Sequence, residues 1–377
     1  MKIKEIKADG YKNLKGVDIV LGDNVNILCG KNAQGKTNLI EAVWICSGCR
    51  SFRSTRDKGY IGFDAERVNV EITYTDERRE NTIAFSVMKD NLKDKKITLN
   101  GVRLPLLSKL FGNLKCVVFT PDDLMLSKGS PDVRRSFLDL SISQIKPSYL
   151  SALNHYNNIL SQRNAMLKYS RTNGIDNNSL EVWNEQLAAA GAYISVLRYN
   201  YCAKSEIFSQ KLSSLLTDNR EKLTLCYHST VYGADDNLTE NSEVLKEKYL
   251  KKLEASKDND INAGFTTCGV HRDDLITRIN GLSVREYGSQ GQARSTAIIL
   301  KLSQAQILAE ETKETPVVLL DDVMSELDSD RQTFILNSIE NMQLIVTTCD
   351  IVSIERLSRG RVFDVQRGRI RKIRMWE

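Results

Sequence analysis

One stretch of the sequence has the residue types and the spacing of a phosphate-binding loop, a glycine followed by any four residues, then glycine, lysine and threonine. The stretch consists of Gly30, Lys31, Asn32, Ala33, Gln34, Gly35, Lys36 and Thr37. Such a loop directs backbone N–H groups and a helix N-terminus at phosphate. Lys36 would contact the β- and γ-phosphates and Thr37 would ligate Mg²⁺. The loop therefore predicts a site for a nucleoside triphosphate with its magnesium ion.

The residues on both sides of the loop supply the elements that must position it. Residues 24–29 alternate between polar and apolar types, which is typical of a strand, and residues 38–45 repeat apolar residues three and four apart, which indicates a helix. The alternative is a glycine turn before a helix with a solvated lysine. The order strand, glycine loop, helix disfavours that alternative.

A second candidate element is an apolar run that ends in two carboxylates. Residues 317–320 are apolar and β-branched or leucine, which predicts a buried parallel strand, and Asp321 and Asp322 follow. Alone, this pattern is typical of a strand before a turn. Together with the phosphate loop it predicts that Asp321 orients Mg²⁺ through water and that Asp322 polarises the attacking water. Asp322 and Lys36 are thus the candidate catalytic residues.

A third candidate element precedes a predicted helix at 295–308. It consists of Ser289, Gln290, Gly291 and Gln292. Small residues and amides ahead of a helix suit close backbone approach to a phosphate, since a helix N-terminus attracts anions.

Composition sets outer bounds on the protein. The chain has 377 residues, 41% hydrophobic and 27% charged, with a net charge of +5, which fits two or three globular domains and permits a polyanionic partner. The charged N-terminus does not resemble a signal peptide, and no apolar run is long enough to span a membrane, so we expect a cytoplasmic protein without a membrane partner. Cys46 and Cys49 are the only close cysteine pair and lack further metal ligands, which favours buried thiols.

The pattern along the chain changes from strands to helices. The first 120 residues are rich in alternating segments, with Asn100-Gly101 as a hairpin turn. Residues 148–216 carry apolar residues at helical and heptad spacing, interrupted by turn residues at 170–179, which predicts a helical hairpin. A further helix is expected at about 240–255, with a polar loop at 256–263. Residues 275–279 and 282–284 are predicted to pair as strands around Asn280-Gly281.

Two basic clusters are candidate DNA contacts. The first follows the helix after the phosphate loop and contains Arg50, Arg53 and Arg56. The second lies on a predicted edge hairpin near the C-terminus and contains Arg369 and Arg371. A solvated loop and an edge strand protected against aggregation are the respective alternatives.

The three chemical elements together resemble an ABC-type ATPase head, and the whole chain resembles the RecF family of SMC-like proteins. Matching stretches include 10–14, 30–37, 119–124, 129–139, 271–275, 289–292 and 319–328. The resemblance implies an α/β fold: an ABC-type head with a mixed parallel and antiparallel sheet (lobe I, 1–120 and 290–377). It also implies a mostly helical second lobe (121–289) with an antiparallel hairpin arm at 148–216. Asp328 belongs to the last matching stretch and is a candidate nucleotide contact.

By this resemblance the function would be ATP-dependent DNA binding in recombinational repair. The family's signature loop, here 289–292, closes on the ATP of a second subunit, which implies an ATP-dependent homodimer. Partners would be double-stranded and gapped DNA and RecR, with RecO and RecA in the same pathway. Cys349 stands where transporter ATPases have a switch histidine, and Asp322 replaces the usual glutamate, so we expect weak ATP hydrolysis. We expect no DNA cleavage, because the sequence shows no carboxylate-rich nuclease domain.

Three other classes remain as alternatives. A transporter ATPase subunit would have its signature nearer the phosphate loop than the 252 residues that separate Thr37 from Ser289 (289 − 37). A full SMC tethering protein would need longer heptad arms and a hinge. A nucleotide-dependent nuclease would need a further carboxylate-rich domain.

Overall fold

A computed structural model describes residues 1–49, 51–53, 57–173, 177–233, 236, 238–239, 241–349 and 360–376. Arg50 and Arg56, two of the predicted DNA contacts, lie outside these ranges. The strands are β1 (Lys2–Asp9), β2 (Val17–Val20), β3 (Val25–Cys29), β4 (Arg67–Thr75), β5 (Glu80–Met88), β6 (Asn91–Leu99), β7 (Val102–Leu104), β8 (Cys116–Phe119), β9 (Leu223–His228), β10 (Asp274–Ile279), β11 (Leu282–Ser283), β12 (Val317–Asp321), β13 (Leu344–Thr348), β14 (Gly360–Gln366) and β15 (Arg369–Trp376). The helices are α1 (Lys36–Cys46), α2 (Met125–Lys128), α3 (Pro131–Ile145), α4 (Pro147–Asn173), α5 (Asn177–Thr217), α6 (Ser242–Ala255), α7 (Lys257–Ala263), α8 (Val284–Tyr287), α9 (Gln290–Thr312) and α10 (Ser329–Ser338).

The chain divides into two compact units, Met1–Asp123 with Leu300–Glu377, and Leu124–Ile299. The first unit contains two six-stranded sheets. One is antiparallel with the order β2-β1-β4-β5-β6-β7. Along β4 and β5 buried residues alternate with partly exposed ones, which is the burial pattern of an antiparallel sheet with one face towards solvent.

The other sheet of the first unit positions the chemistry. Its order is β15-β14-β3-β13-β12-β8, and all its pairs are parallel except β14 with β15. β12 and β13 are buried at every residue, as expected of parallel strands with both faces covered. Because β3, β13 and β12 are parallel neighbours, their carboxyl ends lie along one edge of the sheet. Ligands of open α/β sheets bind at this edge.

The second unit is built around an antiparallel helical hairpin. The hydroxyl of Tyr149 on α4 contacts Arg198 on α5, and Arg163 further along α4 contacts Asn184 earlier on α5. The partner number falls as the residue number rises, so the two helices are antiparallel, as predicted. With 41 residues, α5 extends beyond the predicted segment and is about 60 Å long at 1.5 Å per residue.

Buried polar networks tie this hairpin to the rest of the second unit. The Arg163 guanidinium is fully buried and donates to Asp260 on α7 at 2.7 Å and to the Thr266 hydroxyl at 2.7 Å. Arg198 pairs with Asp139 on α3 at 2.8 Å. Breaking a buried ion pair leaves an uncompensated charge, so these contacts link α3 and α7 to the hairpin at a high cost of separation.

The structure corrects several boundaries that were expected from the sequence. Residues 257–263 form helix α7 rather than a loop, with the buried Asp260 inside it. Val284 begins a short helix instead of ending a strand. β9 was not predicted, and it pairs with β10 to extend the predicted hairpin into a three-stranded sheet.

Candidate nucleotide-binding site

The phosphate loop connects β3 to α1 through an irregular backbone that only certain residues tolerate. Gly30 has φ near +159° and Gly35 has φ near +116°, and Ala33 between them is left-handed with φ near +62°. A Cβ atom on Gly30 would lie 2.3 Å from the Val365 carbonyl oxygen on β14, so a side chain does not fit there. Alternation of right- and left-handed residues turns successive N–H groups inward, which is the geometry of an anion-binding nest.

The ammonium group of Lys36 contacts the start of the loop. Its Nζ donates to the carbonyl oxygens of Gly30 and Lys31, and it lies 3.4 Å from the sulfur of Cys349. The Cys349 thiol in turn donates to Asn32 Oδ1 at 2.8 Å. A bound phosphate would offer Lys36 a stronger, charged acceptor than these carbonyl groups. Cys349, the residue in place of the switch histidine, therefore lies beside the loop lysine.

Two acids and two threonines meet at the sheet edge next to the loop. Thr37 Oγ1 donates to Asp321 Oδ1 at 2.8 Å, and Thr347 Oγ1, at the end of β13, donates to the same oxygen at 3.0 Å. The Asp322 backbone N–H donates to Thr347 Oγ1 at 2.8 Å, and Asp322 itself has φ near +55°, outside the usual region for a residue with a side chain. The Thr347 hydroxyl thus links the two acids.

Burial raises the pKa of the Asp321 carboxyl above its usual 3.8, and the neighbouring Asp322 carboxylate acts in the same direction. Hydrogen bonds from Thr37 and Thr347 and the positive charge of Arg53 oppose this effect. A buried carboxylate that is expensive to ionise gains from a nearby cation. This environment suits the coordination sphere of a divalent metal ion.

A cavity of about 810 Å³ opens over the phosphate loop. Three side chains that the sequence did not single out as nucleotide contacts help to line it: Lys12, Asn13 and Asn38. Asn13 Nδ2 donates to the loop carbonyl of Ala33 at 3.2 Å, and Asn38 Nδ2 donates to Asn13 Oδ1 at 2.7 Å. Asn13 lies in the first segment matching RecF, and only its position in the fold reveals its contact with the loop.

Arg53 also lines this cavity. Its guanidinium donates to Asn38 Oδ1 at 3.0 Å, and its side chain is exposed. The sequence suggested Arg53 as a DNA contact. Its position beside Asn38, in the first turn of α1, brings its charge to the cavity, and its role as a DNA contact stays a prediction.

The residues Ser289–Gln292 lie in the second unit, and most of them belong to α9 rather than to a loop before it. Helix α9 begins at Gln290, five residues earlier than predicted. Ser289 Oγ accepts from the Gln292 N–H at 3.2 Å, and Gln292 Oε1 accepts from the Ser289 N–H at 2.9 Å. This reciprocal pair is a capping box that fixes the N-terminus of a 23-residue helix. Lys128, whose ammonium donates to the Gly288 carbonyl, adds a positive charge beside it.

The remaining predicted site residues lie elsewhere. Asp328 caps α10 by accepting from the Arg331 N–H at 3.0 Å and pairs with the Arg331 guanidinium, so the structure assigns it a local helix-capping contact. Arg369 and Arg371 are exposed on the edge strand β15. Cys46 and Cys49 are buried thiols, and burial raises the pKa of each to about 12, which makes them unreactive. In the part of the chain that the structure describes, no helix combines the length and apolarity needed to cross a membrane.

Known proteins with this sequence pattern and this fold converge on one family. Residues 2–370 match the family model described as RecF/RecN/SMC N terminal domain. The DNA replication and repair protein RecF of Alkaliphilus oremlandii is 38% identical over 374 residues, covering 98% of this chain and all of the relative. The RecF protein of Clostridioides difficile is 35% identical over 378 residues, covering 98% of this chain and all of that relative.

Solved structures agree with the sequence matches. A structure of the recombination mediator protein RecF with ATPrS, in the RecFOR pathway, superposes with a TM-score of 0.91 at 35% identity, covering 99% of this chain and 98% of that one. A Pyrococcus furiosus Smc head domain matches with a TM-score of 0.56 at 16% identity, covering 99% of this chain and 96% of the other, which shows a shared head fold. Full-length similarity to RecF favours this family over the transporter, tethering and nuclease alternatives. The chain therefore belongs to the RecF family of DNA replication and repair proteins, within the SMC-like ABC ATPases.

Proposed function

We propose that this chain is an ATP-dependent DNA-binding recombination mediator whose nucleotide site is formed by residues 30–37. The observation that carries the proposal is the bond from Thr37 to Asp321, residues 284 positions apart in the sequence. It brings the phosphate loop and the acid at the end of β12 together, as ATP hydrolysis requires. A RecF protein at 35% identity has been solved with ATP, which supports ATP as the nucleotide.

Magnesium would be held by the Thr37 hydroxyl and the phosphates, with Asp321 acting through water. Among the described residues, no group of three or more His, Cys, Asp or Glu side chains could hold a metal by itself. This donor set fits Mg²⁺, which keeps several waters and binds through one or two protein oxygens and the substrate phosphates. The bound ion would neutralise phosphate charge.

Hydrolysis would be slow and would depend on Asp322. Asp322 lines the cavity, and the Ser325 hydroxyl is shared between its backbone carbonyl at 2.9 Å and its carboxylate Oδ1 at 3.2 Å. The side chain is one methylene shorter than glutamate, so it positions a water less closely. We expect ATP binding to control how long a complex lasts, with hydrolysis ending it.

The second half of the site would come from another copy of the chain. The capping box at Ser289 and Gln292 pre-orients the N-terminus of α9, and a hydroxyl that accepts one hydrogen bond can still donate its own hydrogen to a phosphate. Lys128 adds positive charge there. An ATP-dependent homodimer follows, with residues 289–292 of each copy facing the γ-phosphate held by the other.

The dimer would bind double-stranded and gapped DNA through phosphate contacts. Arg369 and Arg371 on β15 are exposed and offer two such contacts. The RecF protein of the structural comparison at 35% identity belongs to the RecFOR pathway, so we infer RecR as a partner, with RecO and RecA acting in the same cytoplasmic pathway.

The dimerisation mechanism is tested by molar mass and duplex binding with and without ATP. The parent should double in mass and bind DNA with ATP, whereas Lys36→Ala and Ser289→Arg should do neither. Ser242→Arg makes the same change at another exposed helix start and should behave as the parent. If all variants share the parent's mass and DNA affinity in every condition, the shared-site mechanism is wrong.

The DNA contacts are tested by salt dependence. Replacing Arg369 and Arg371 with Gln should reduce the slope of log affinity against log salt by about 0.9 for each lost phosphate contact. Arg103, which is exposed but paired with Asp94, provides a control in Arg103→Gln that should keep the parent slope. Equal slopes in all three proteins would remove β15 from the DNA surface.

A further inference from the structure

Phe63 is a fully exposed aromatic residue among those that line the cavity over the phosphate loop. The lining also includes Gly59, Ile61 and Gly62. Single exposed apolar residues are common, so exposure alone means little. What distinguishes Phe63 is the rigid backbone on which it stands and the polarity of the cavity that it borders.

The backbone under Phe63 is held against the segment that contacts the phosphate loop. Tyr11 and Ile61 form an antiparallel bridge, with Lys12 N–H donating to the Tyr60 carbonyl at 2.7 Å and Gly62 N–H donating to the Gly10 carbonyl at 2.9 Å. Gly62 is required for this approach, because a Cβ atom there would lie 2.2 Å from the Lys12 carbonyl oxygen. The Ala65 N–H then donates to the Gly62 carbonyl at 3.0 Å, which closes a tight turn with Phe63 at its tip.

The same segment is fixed to the phosphate loop and to α1. Asn13 contacts the loop carbonyl of Ala33, and the Lys12 ammonium pairs with the fully buried Glu41 carboxylate of α1. The backbone that carries Phe63 is therefore held in place relative to the loop by hydrogen bonds at each step. Only the side-chain rotamer of Phe63 has to be ordered when a planar ligand binds, which costs less than ordering the whole segment.

The lining of the cavity combines two kinds of side chain. Lys36 and Arg53 supply positive charge, and Ile61 and Phe63 supply apolar surface. A nucleoside triphosphate needs both, since it has a charged tail and a flat, weakly polar base. We propose that Phe63 stacks on the adenine base of the bound nucleotide while residues 30–37 hold its phosphates. This assignment rests on the ATP binding proposed above.

The test compares ATP with inorganic tripolyphosphate, which has the phosphates but lacks the base. Calorimetric titrations with Mg²⁺ should show that Phe63→Ala weakens ATP binding about ten-fold, since stacking of a base on an aromatic side chain contributes roughly 1–3 kcal/mol and ten-fold is about 1.4 kcal/mol. Tripolyphosphate binding should be unchanged. Val102→Ala, an exposed apolar residue of the same unit that does not line the cavity, should leave both affinities at parent values.

Phe63→Trp gives a direct readout of stacking. The variant should bind ATP at least as tightly as the parent, and its added fluorescence, taken as the difference from the parent with its three native tryptophans, should be quenched by ATP and unaffected by tripolyphosphate. Parent-like ATP affinity in Phe63→Ala would overturn the assignment, as would an equal loss of both ligands. So would a loss confined to DNA binding, which would assign the ring to a macromolecular contact.

Failure of the proposed nucleotide binding would give a different result from failure of the base stacking. A parent chain that binds neither ATP nor tripolyphosphate refutes the nucleotide site itself, and the stacking with it. Lys36→Ala separates the two ideas, because it should lose both ligands while Phe63→Ala loses only the contribution of the base.

Discussion

Removing the charge of Asp321 while keeping its hydrogen bonds should weaken magnesium binding without destabilising the folded chain. In Asp321→Asn one oxygen can still accept from both Thr37 and Thr347, because both hydroxyls donate to the same Oδ1. The carboxyl has a raised pKa in the folded chain, so its ionised form destabilises the fold at neutral pH. The ligand-free variant should therefore unfold at the same temperature as the parent or a higher one.

Asp321→Asn should be less stable than the parent only when ATP and Mg²⁺ are both added. Removing an outer-shell partner of a metal typically weakens its affinity 10–100-fold. With Mg²⁺-ATP at about 100 times the parent Kd, binding stabilises the parent by about 2.7 kcal/mol. The same concentration should stabilise Asp321→Asn by only about 0.4–1.4 kcal/mol, and ATP without Mg²⁺ should stabilise both proteins equally.

Thermal unfolding with ATP, with and without Mg²⁺, measures these differences. Asp322→Asn is the matched control, since it removes a neighbouring carboxylate assigned to water activation. It should keep the parent's magnesium-dependent stabilisation and lose hydrolysis. The reasoning is wrong if Asp321→Asn gains as much from Mg²⁺ as the parent does, or if its ligand-free form is markedly less stable.

Two further predictions concern the buried networks of the second unit. The His271 Nε2–H donates to the Thr266 carbonyl at 3.1 Å, and Nδ1 accepts from the Tyr156 hydroxyl at 2.8 Å. Burial lowers the pKa of His271 to about 4, so between pH 6.5 and 4 this group binds more protons in the unfolded chain than in the folded one. Acidification from pH 7 to 5 should therefore cost the parent about 2 kcal/mol of unfolding free energy through this group. Urea titrations at both pH values measure this loss. His271→Gln should not show it, whereas His155→Gln, a change at an exposed histidine, should lose as much as the parent. Equal losses in the parent and both variants would contradict the assignment. Arg163→Met leaves the fully buried Asp260 carboxylate without its cation and should cost about 3–5 kcal/mol, of which a second change, Asp260→Asn, should restore part. An additive double variant would show that the ion pair is not the cause.

Local sequence patterns were sufficient where chemistry depends on neighbouring residues. The glycine loop at 30–37, the acid-terminated strand at 317–321 and the hairpin turn at Asn280-Gly281 all formed as their patterns indicated. A loop was wrongly predicted for residues 257–263, a polar stretch whose helix is stabilised by tertiary contacts. The composition of this helix, α7, resembles a loop, and the buried Asp260 is satisfied by tertiary contacts with Arg163 and Thr267.

The positions of some basic and aromatic side chains could not be predicted from residue type. Arg53 could equally have belonged to a solvated loop or a DNA surface, and its position beside Asn38 places it at the nucleotide cavity. Phe63 carried no sequence signal, since a lone aromatic in a glycine-containing turn is common. Its importance follows from the pairing of residues 60–62 with residues 10–12, which no local pattern encodes.

By itself, the sequence determined the phosphate loop, the order of its strands and helices around the two acids, and membership of the RecF family, since these depend on residue spacing along the chain. Only the tertiary structure decided which distant side chains meet. Parallel pairing of β3, β13 and β12 brings Thr37, Asp321 and Thr347 within hydrogen-bond distance. The capping box at Ser289 and the exposed ring of Phe63 likewise depend on backbone geometry. Residue spacing along the chain specifies a single strand, loop or helix, whereas a binding site forms only when several of these elements pack together in one arrangement.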